Sequence, residues 1–355
     1  MAAALGLSTY RWNNNLKSIL LLAAFPFLLL LLLSALVYVY AWGFLADYGG
    51  TLRPGTFRSH GVMPVTPGYG PLDFTWAVIY AYWPFVVGAA AVWLLLAYAF
   101  NDVLIHAATG AKPVSRADAP RLYNVLETHC ISRGMAVPRL YIIDTDAKNA
   151  YASGIDKRTY SITVTRALLD RLDDRELEAV LAHELTHILD KDVRLLLITI
   201  VFVGAISFIA QLLWRSLRVM SFRRERGNAG LVILAAAVVA GIGYLLALVL
   251  RFAISRRREY LADAGSVELT KSPEALISAL RKISENANVP HVPSEVRQMF
   301  IENPLSESSF FNLFATHPPI ADRIRVLERL EGTPLPPKLN SGGPWGAPPP
   351  GSMRS

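Results

Sequence analysis

Four long runs of residues, none of them carrying a charge, restrict what this chain can fold into. Ser18 to Trp42 contains six consecutive leucines from Leu28 to Leu33 and ends in the aromatic cluster VYVYAW. Phe74 to Phe100, Leu195 to Trp214 and Leu231 to Leu250 are the other three. At a helical rise of 1.5 Å per residue each run is long enough to cross a hydrocarbon core of roughly 30 Å, and the terminal aromatics of the first suit a membrane interface. Buried helices of soluble proteins rarely run this far without a charge. The first run follows Arg11 and Lys17 but exceeds the usual apolar region of a cleaved signal peptide, about 7 to 15 residues, so it reads as a retained anchor.

Between these expected spans lie an N-terminal tail (1–17), a Gly- and Pro-containing loop (43–73), a first soluble segment (101–194), a basic loop (215–230), a second soluble segment (251–331) and a tail (332–355) whose Pro, Gly and Ser content predicts disorder. The spans themselves are 18–42, 74–100, 195–214 and 231–250. The formal net charge is +7, and its arginines cluster beside the apolar runs. Membrane lipid head groups explain that placement, and no nucleic-acid motif accompanies it. Cys130 is the only cysteine, which excludes an intrachain disulfide and a thiolate metal cluster within one chain.

In the first soluble segment, Pro120 to Cys130 reads as a helix, and Arg139–Asp144, Asn149–Ile155 and Tyr160–Thr165 as extended stretches, the last two joined as a hairpin through Ile155–Arg158. A further helix begins after Asp173, which with Glu176 forms a capping-box pair. Leu177, Leu181, Leu185 and Ile188 form its apolar stripe, and on a neighbouring face the sequence HELTH places His183 and His187 four residues apart.

That spacing lets both imidazoles reach one metal ion, with Glu184 projecting toward a water on it. A chance HExxH in a chain with seven histidines is expected on the order of 1% of the time. The bland alternative is a surface helix with two unrelated histidines. A catalytic zinc needs a third protein ligand and an open fourth position. His60, His106, His129 and His291 lack the spacing and read as solvated or packed. Glu259 and Asp263, four apart in SRRREYLADAG, offer a ligand and a carboxylate to hold a ligand imidazole by its second nitrogen; the same spacing also suits a solvated pair beside arginines.

HELTH, a hydrophobic hairpin and then EYLAD together resemble the HtpX family of membrane-embedded zinc metalloproteases, relatives of the CAAX prenyl proteases, from the first span to about Leu330. The resemblance implies one Zn2+ per chain held by His183, His187 and Glu259, with Glu184 as general base and Asp263 and Asp192 supporting the ligands. NAYASG resembles an edge strand of the family, implying substrate contact at Asn149, Ala150 and Tyr151 by strand addition. THPPIADR resembles a late segment near the active site, which makes His317 and Arg323 oxyanion candidates; the alternative for this stretch is an ordinary helix start. The expected fold is an α-helical membrane protein with four spans and an α+β zincin-like domain, comprising a small antiparallel sheet with an edge strand and the HExxH helix.

About eight residues separate His187 from the third run and Glu259 from the fourth, which puts the motif within roughly 12 Å of the span ends. The acidic and basic residues around it, from Asp173 to Asp192, exclude a site in hydrocarbon and so an intramembrane protease. Both ligand segments and the N-terminus share one side. Lysines and arginines near the spans number slightly more on that side, favouring the cytoplasmic face, although the basic loop between spans three and four weakens the contrast. The implied protein is a metalloendopeptidase of a bacterial inner membrane that cleaves membrane or misfolded proteins in quality control. The competing class is a catalytically silent membrane scaffold with the same fold. Oligomeric state leaves no signal in the sequence.

Overall fold

The computed structural model describes residues 2–47, 70–202, 204–205, 257–302 and 317–331, with isolated positions at 215, 237, 241 and 243. The expected loop from residue 48 to 69, the third run after residue 205, the basic loop after residue 215, the fourth run apart from positions 237, 241 and 243, the C-terminal tail and His60 lie outside these residues.

Two helices form the apolar part. Helix α1 (Ala2–Asp47) and helix α2 (Pro71–Thr109) pack against each other and are, among the described residues, the two long and apolar enough to cross a membrane, against the four expected. Their outer faces are apolar and uncovered, with Phe27, Trp76, Tyr80 and Phe85 all exposed. A surface of that kind is stable in contact with lipid rather than water. Both helices outrun the expected spans. The segment read as a tail, 1–17, is helical from Ala2, because it contains no proline and a single glycine to interrupt the helix. At the other end α2 continues to Thr109, nine residues past Phe100, and turns polar: Asn101, His106 and Thr109 are buried against the soluble domain.

That extension ties α2 to a four-stranded sheet. Strands β1 (Lys112–Pro113), β2 (Arg139–Ile143), β3 (Ala150–Ser153) and β4 (Ser161–Thr165) lie in the order β1-β2-β4-β3. Asp102 accepts from Arg139, the His106 ring stacks on Tyr141 at 3.5 Å, and the hydroxyls of Thr109 and Tyr151 are 2.9 Å apart. His106 is therefore a packed histidine, as is the buried His129 beside Glu178.

The sheet is mixed, not antiparallel throughout. β3 and β4 form the expected antiparallel hairpin, whose turn uses Gly154 at φ +111, where an added Cβ would meet the backbone of Thr159 and Tyr160. β4, however, pairs parallel with β2, Arg139 opposite Ser161 through Ile143 opposite Thr165. The hairpin folds back so that its second strand, not its first, meets β2. β3 is left at the edge.

Helix α3 (Pro120–Ser132), the short α4 (Arg166–Arg171) and α5 (Asp174–Leu189) follow the sheet, with α6 (Arg257–Thr270), α7 (Pro273–Ser284), α8 (Ser294–Arg297) and α9 (Ile320–Glu331) in the later segment. α5 is the centre of this layer. Leu177, Leu181 and Leu185 share one core with Leu122 and Leu126 of α3, Ile162 and Val164 of β4 and Leu276, Leu280 and Ile283 of α7. Its start is capped in both directions: Asp173 Oδ1 accepts from Glu176 N at 2.9 Å and Asp173 N donates to Glu176 Oε2 at 2.8 Å. The Glu176 carboxylate also accepts from Ser278 and Lys282 of α7, both at 2.6 Å. One side chain thus caps α5 and joins it to α7.

Burial alone would raise the Glu176 pKa, but the bonds from Lys282, Ser278 and Asp173 N–H outweigh it and hold the carboxyl below the ordinary glutamate range. A depressed folded-state pKa gives stability that is present above the unfolded value, about 4.3, and is lost as pH falls through the folded one. Glu176→Gln should therefore cost about 1–3 kcal/mol at neutral pH. Thermal unfolding across pH should show this deficit constant above about pH 5 and shrinking in acid; a deficit that grows in acid would contradict the assignment.

Candidate active site and metal centre

His183 and His187 sit on successive turns of α5 with rings perpendicular and Nε2 atoms 3.2 Å apart. From α6, Glu259 Oε2 approaches to 3.6 Å from His183 Nε2 and 3.8 Å from His187 Nε2. The two segments are 72 residues or more apart in sequence and meet because α5 and α6 cross closely. A Cβ on Gly265 would lie 2.6 Å from Thr186 Oγ1, and Ser266 Oγ donates to Ala179 O at 2.6 Å. Glycine at 265 is thus a condition for Glu259 to reach the histidines.

Each imidazole is held from behind. His183 Nδ1 is 3.0 Å from Asp263 Oδ1, and His187 Nδ1 is 3.2 Å from Asp192 Oδ2. A carboxylate at Nδ1 places the proton there and leaves the Nε2 lone pair facing inward. Two such lone pairs at 3.2 Å, joined by a fully buried carboxylate oxygen, Glu259 Oε2, that has no hydrogen-bond partner, repel one another unless a cation lies between them. The donor atoms of His183, His187 and Glu259 all lie within 4.8 Å of one another. The residues therefore fit a metal ion. Charge agrees: four buried carboxylates (Glu184, Asp192, Glu259, Asp263) face two buried guanidiniums (Arg258, Arg323), a deficit suited to a dication.

Protons sense the same deficit. Burial would lower the His187 pKa, yet the carboxylates of Glu259 and Asp192 raise it to about 10. Glu259 itself is held well below the ordinary range by His317 and His187 in spite of its burial. Glu184 behaves oppositely: desolvation dominates and raises its pKa, offset only in part by His183 and His187. A glutamate with increased proton affinity beside a cation site is suited to accepting a proton and passing it on.

The structure separates the other sequence candidates. Asp263 and Asp192 lie beside the Nδ1 atoms of His183 and His187. His317 lines the cleft, with Nδ1 3.3 Å from Glu259 Oε2 and Nε2 2.8 Å from Gln298 O. Arg323, also offered as an oxyanion donor, is fully buried against the ligand set: Nη2 and Nε donate to the two Asp263 oxygens at 2.6 and 2.9 Å, Nη1 donates to Ile301 O at 3.1 Å, and Nη2 lies 3.5 Å from His183 Nε2. Its pKa is raised, since the attraction of Asp263 and Glu259 overcomes desolvation. Arg323 anchors Asp263, and through it His183. The side chains of Asn149 and Tyr151 are also committed, Asn149 to Ala287 O and Glu302 O and Tyr151 to Thr109. Ala152, rather than those neighbours, lines the cleft.

Two residues had no site role in the sequence reading. Arg258, there one of several membrane-facing arginines, is buried and donates from Nε to Glu259 Oε1 at 3.0 Å, leaving Oε2 for the centre. Asn14 of α1 donates to Asp192 Oδ1 at 2.6 Å. The one available signal was three consecutive asparagines, Asn13 to Asn15, at the entrance to an apolar run. The cleft is lined by Glu184, His187 and Glu259, with Val193, Leu196, Met299 and Ile301 as apolar walls.

Residues 116–331 match the profile of peptidase family M48. The chain belongs to this family. Among M48 relatives, it is 43% identical over 339 residues to a "Protease HtpX homolog" of Bacteroides fragilis (strain YCH46), covering 91% of this chain and 98% of that one. A "Protease HtpX homolog" of Dictyoglomus thermophilum is 40% identical over 235 residues, 66% of this chain and 77% of the relative. The crystal structure of S. mikatae Ste24p is similar at 18% identity with a TM-score of 0.44, covering 71% of this chain and 60% of that one. This M48 chain is accordingly a membrane metalloprotease.

Gly265→Ala should force α6 away from α5, because Thr186 is β-branched and cannot swing aside. The expected cost is about 1–3 kcal/mol together with weaker metal retention, read by thermal unfolding and by metal content after dialysis; a variant as stable and as metal-rich as the parent would refute the close-crossing account. Arg323→Met should leave Asp263 buried without its partner and cost about 3–5 kcal/mol, which the same unfolding measurement detects.

Proposed function

We propose that this protein is a zinc endopeptidase with four membrane spans and its catalytic domain on the cytoplasmic face of a bacterial inner membrane, cleaving membrane or misfolded proteins. The observation that carries the reading is the convergence of two imidazole nitrogens and one carboxylate oxygen beside a buried glutamate in a single cleft. A set of two nitrogens and one oxygen at this spacing suits zinc and leaves room for a further ligand. Zinc held there supplies Lewis-acid polarisation of the scissile carbonyl and acidifies water. His183, His187 and Glu259 hold the ion, with Asp263, Asp192 and Arg258 fixing their orientations. Glu184 takes a proton from the attacking water onto its carboxylate and gives it to the departing amine.

Substrate would pair with the edge strand. Thr165 N donates to Asn149 O, so the antiparallel alternation turns Asn149, Tyr151 and Ser153 toward β4 and the backbone groups of Ala150 and Ala152 outward. Ile301 N already donates to Ala150 O. Ala152, in the cleft wall, is then the site of strand addition. The walls of Val193, Leu196, Met299 and Ile301 favour an apolar side chain next to the scissile bond. His317 can serve an oxyanion only as the imidazolium, since in the neutral ring its one N–H is used by Gln298 O.

The position of the site supports the topology. Asn14 meets Asp192, Asn15 meets Arg194 and Phe25 meets Phe202, so α1 runs in the same direction as helical residues 192–202. The N-terminus and the catalytic domain then share one side of the bilayer.

Glu184→Gln should retain metal by elemental analysis while cleavage of unfolded casein falls by at least about 100-fold. Undiminished cleavage by this variant would sink the mechanism.

A further inference from the structure

α5 ends at Leu189, and two residues later Lys191 takes up a left-handed conformation, φ 60, before helical residues 192–202 begin. A non-glycine residue there is held by its surroundings rather than by its own preference. The kink decides where Asp192 points. Asn14 spans it: Nδ2 donates to Asp190 O at 3.2 Å on one side and to Asp192 Oδ1 at 2.6 Å on the other. The second Asp192 oxygen, Oδ2, is the one beside His187 Nδ1.

Asn14 is buried, as is Ser18 one turn later, whose hydroxyl donates to Asn14 O at 2.9 Å. Their neighbours Trp12, Asn13, Lys17 and Ile19 are exposed. The polar stripe of α1 therefore faces the catalytic domain, and its register is set further along the helix by Phe25 against Phe202, ring centroids 4.4 Å apart. An amide suits this position. It offers an N–H donor to one carboxylate oxygen without neutralising the negative charge that the other directs at the imidazole, whereas an aspartate would repel it and a lysine would compete for it.

We propose that Asn14 is a positioning residue for the metal centre: α1 clips the kink after α5 and so aims Asp192 at His187. The inference rests on the reading of His183, His187 and Glu259 as metal ligands. It makes α1 part of the catalytic apparatus as well as an anchor.

The test uses the full-length protein in detergent or nanodiscs, with Co2+ as a spectroscopic probe and Zn2+ affinity from chelator competition. Asp192→Ala is expected to weaken Zn2+ binding about 10- to 100-fold. Asn14→Ala, one step further out, is expected to weaken it about 3- to 10-fold and to shift the visible Co2+ bands, with no effect from the exposed neighbour Asn13→Ala. Placed in the Asp192→Ala background, Asn14→Ala should add less than about twofold, because its effect passes through Asp192. Asn14→Asp should be at least as damaging as alanine. Metal-free unfolding temperatures of all variants identify any loss of fold. Zn2+ affinity and Co2+ spectra unchanged in Asn14→Ala, or an Asn14→Ala effect undiminished without Asp192, would overturn the proposal while leaving the metal site intact. A parent protein that binds neither ion would overturn the metal reading as well.

Discussion

Two imidazoles on consecutive turns of one helix, each gripped at Nδ1 by a carboxylate, are the constraint on which the rest of the domain depends. The grip favours the Nδ1–H tautomers and turns both Nε2 atoms inward, toward the position a cation would take. Every surrounding device maintains it. Arg323 from α9 holds Asp263, Asn14 from α1 holds Asp192, and Arg258 holds the outer oxygen of Glu259. Three elements far apart in sequence therefore converge on carboxylates that support or complete the histidine pair. Asp263, Asp192 and the outer oxygen of Glu259 are tolerated in the interior because each has a donor against it.

The sheet and helices supply the frame for this arrangement. Glu176 caps α5 and bonds α7, and the glycine at 265 lets α6 lie against α5. Edge strand β3 borders the cleft because the hairpin presents β4 to β2 and leaves β3 outermost. Glu184, the donor atoms of His183, His187 and Glu259, and the wall residue Ala152 thus come together from regular elements without any one loop having to order all of them.

Local periodicity made the core of the site readable from sequence. His183 and His187, like Glu259 and Asp263, are four apart, and helical geometry alone puts each pair on one face. The capping box at Asp173 and Glu176 and the β3–β4 hairpin were readable for the same reason. What escaped the sequence depended on tertiary proximity or on burial. A parallel pairing of β2 with β4 leaves no mark in either strand's alternation. Arg323 has the same chemistry whether it faces an oxyanion or a carboxylate, and its bond to Asp263 becomes visible only in the folded chain. Asn14 lies 178 residues from its partner, in a segment that reads as a tail because nothing in its composition indicates the helix face it presents.

The continuation of α2 beyond its apolar length to Thr109 has a kinetic consequence. Tyr98 bonded to Asp156, Asp102 to Arg139 and Thr109 to Tyr151 join the lipid-facing helix to the sheet, while α1 is fastened separately at Asp192. A domain fastened at two places cannot pivot about a single linker. Two attachments restrict rotation of the cleft about the apolar helices, which narrows the orientations in which it meets a polypeptide. The rotational freedom that a tethered soluble protease would lose at every encounter has already been removed by folding.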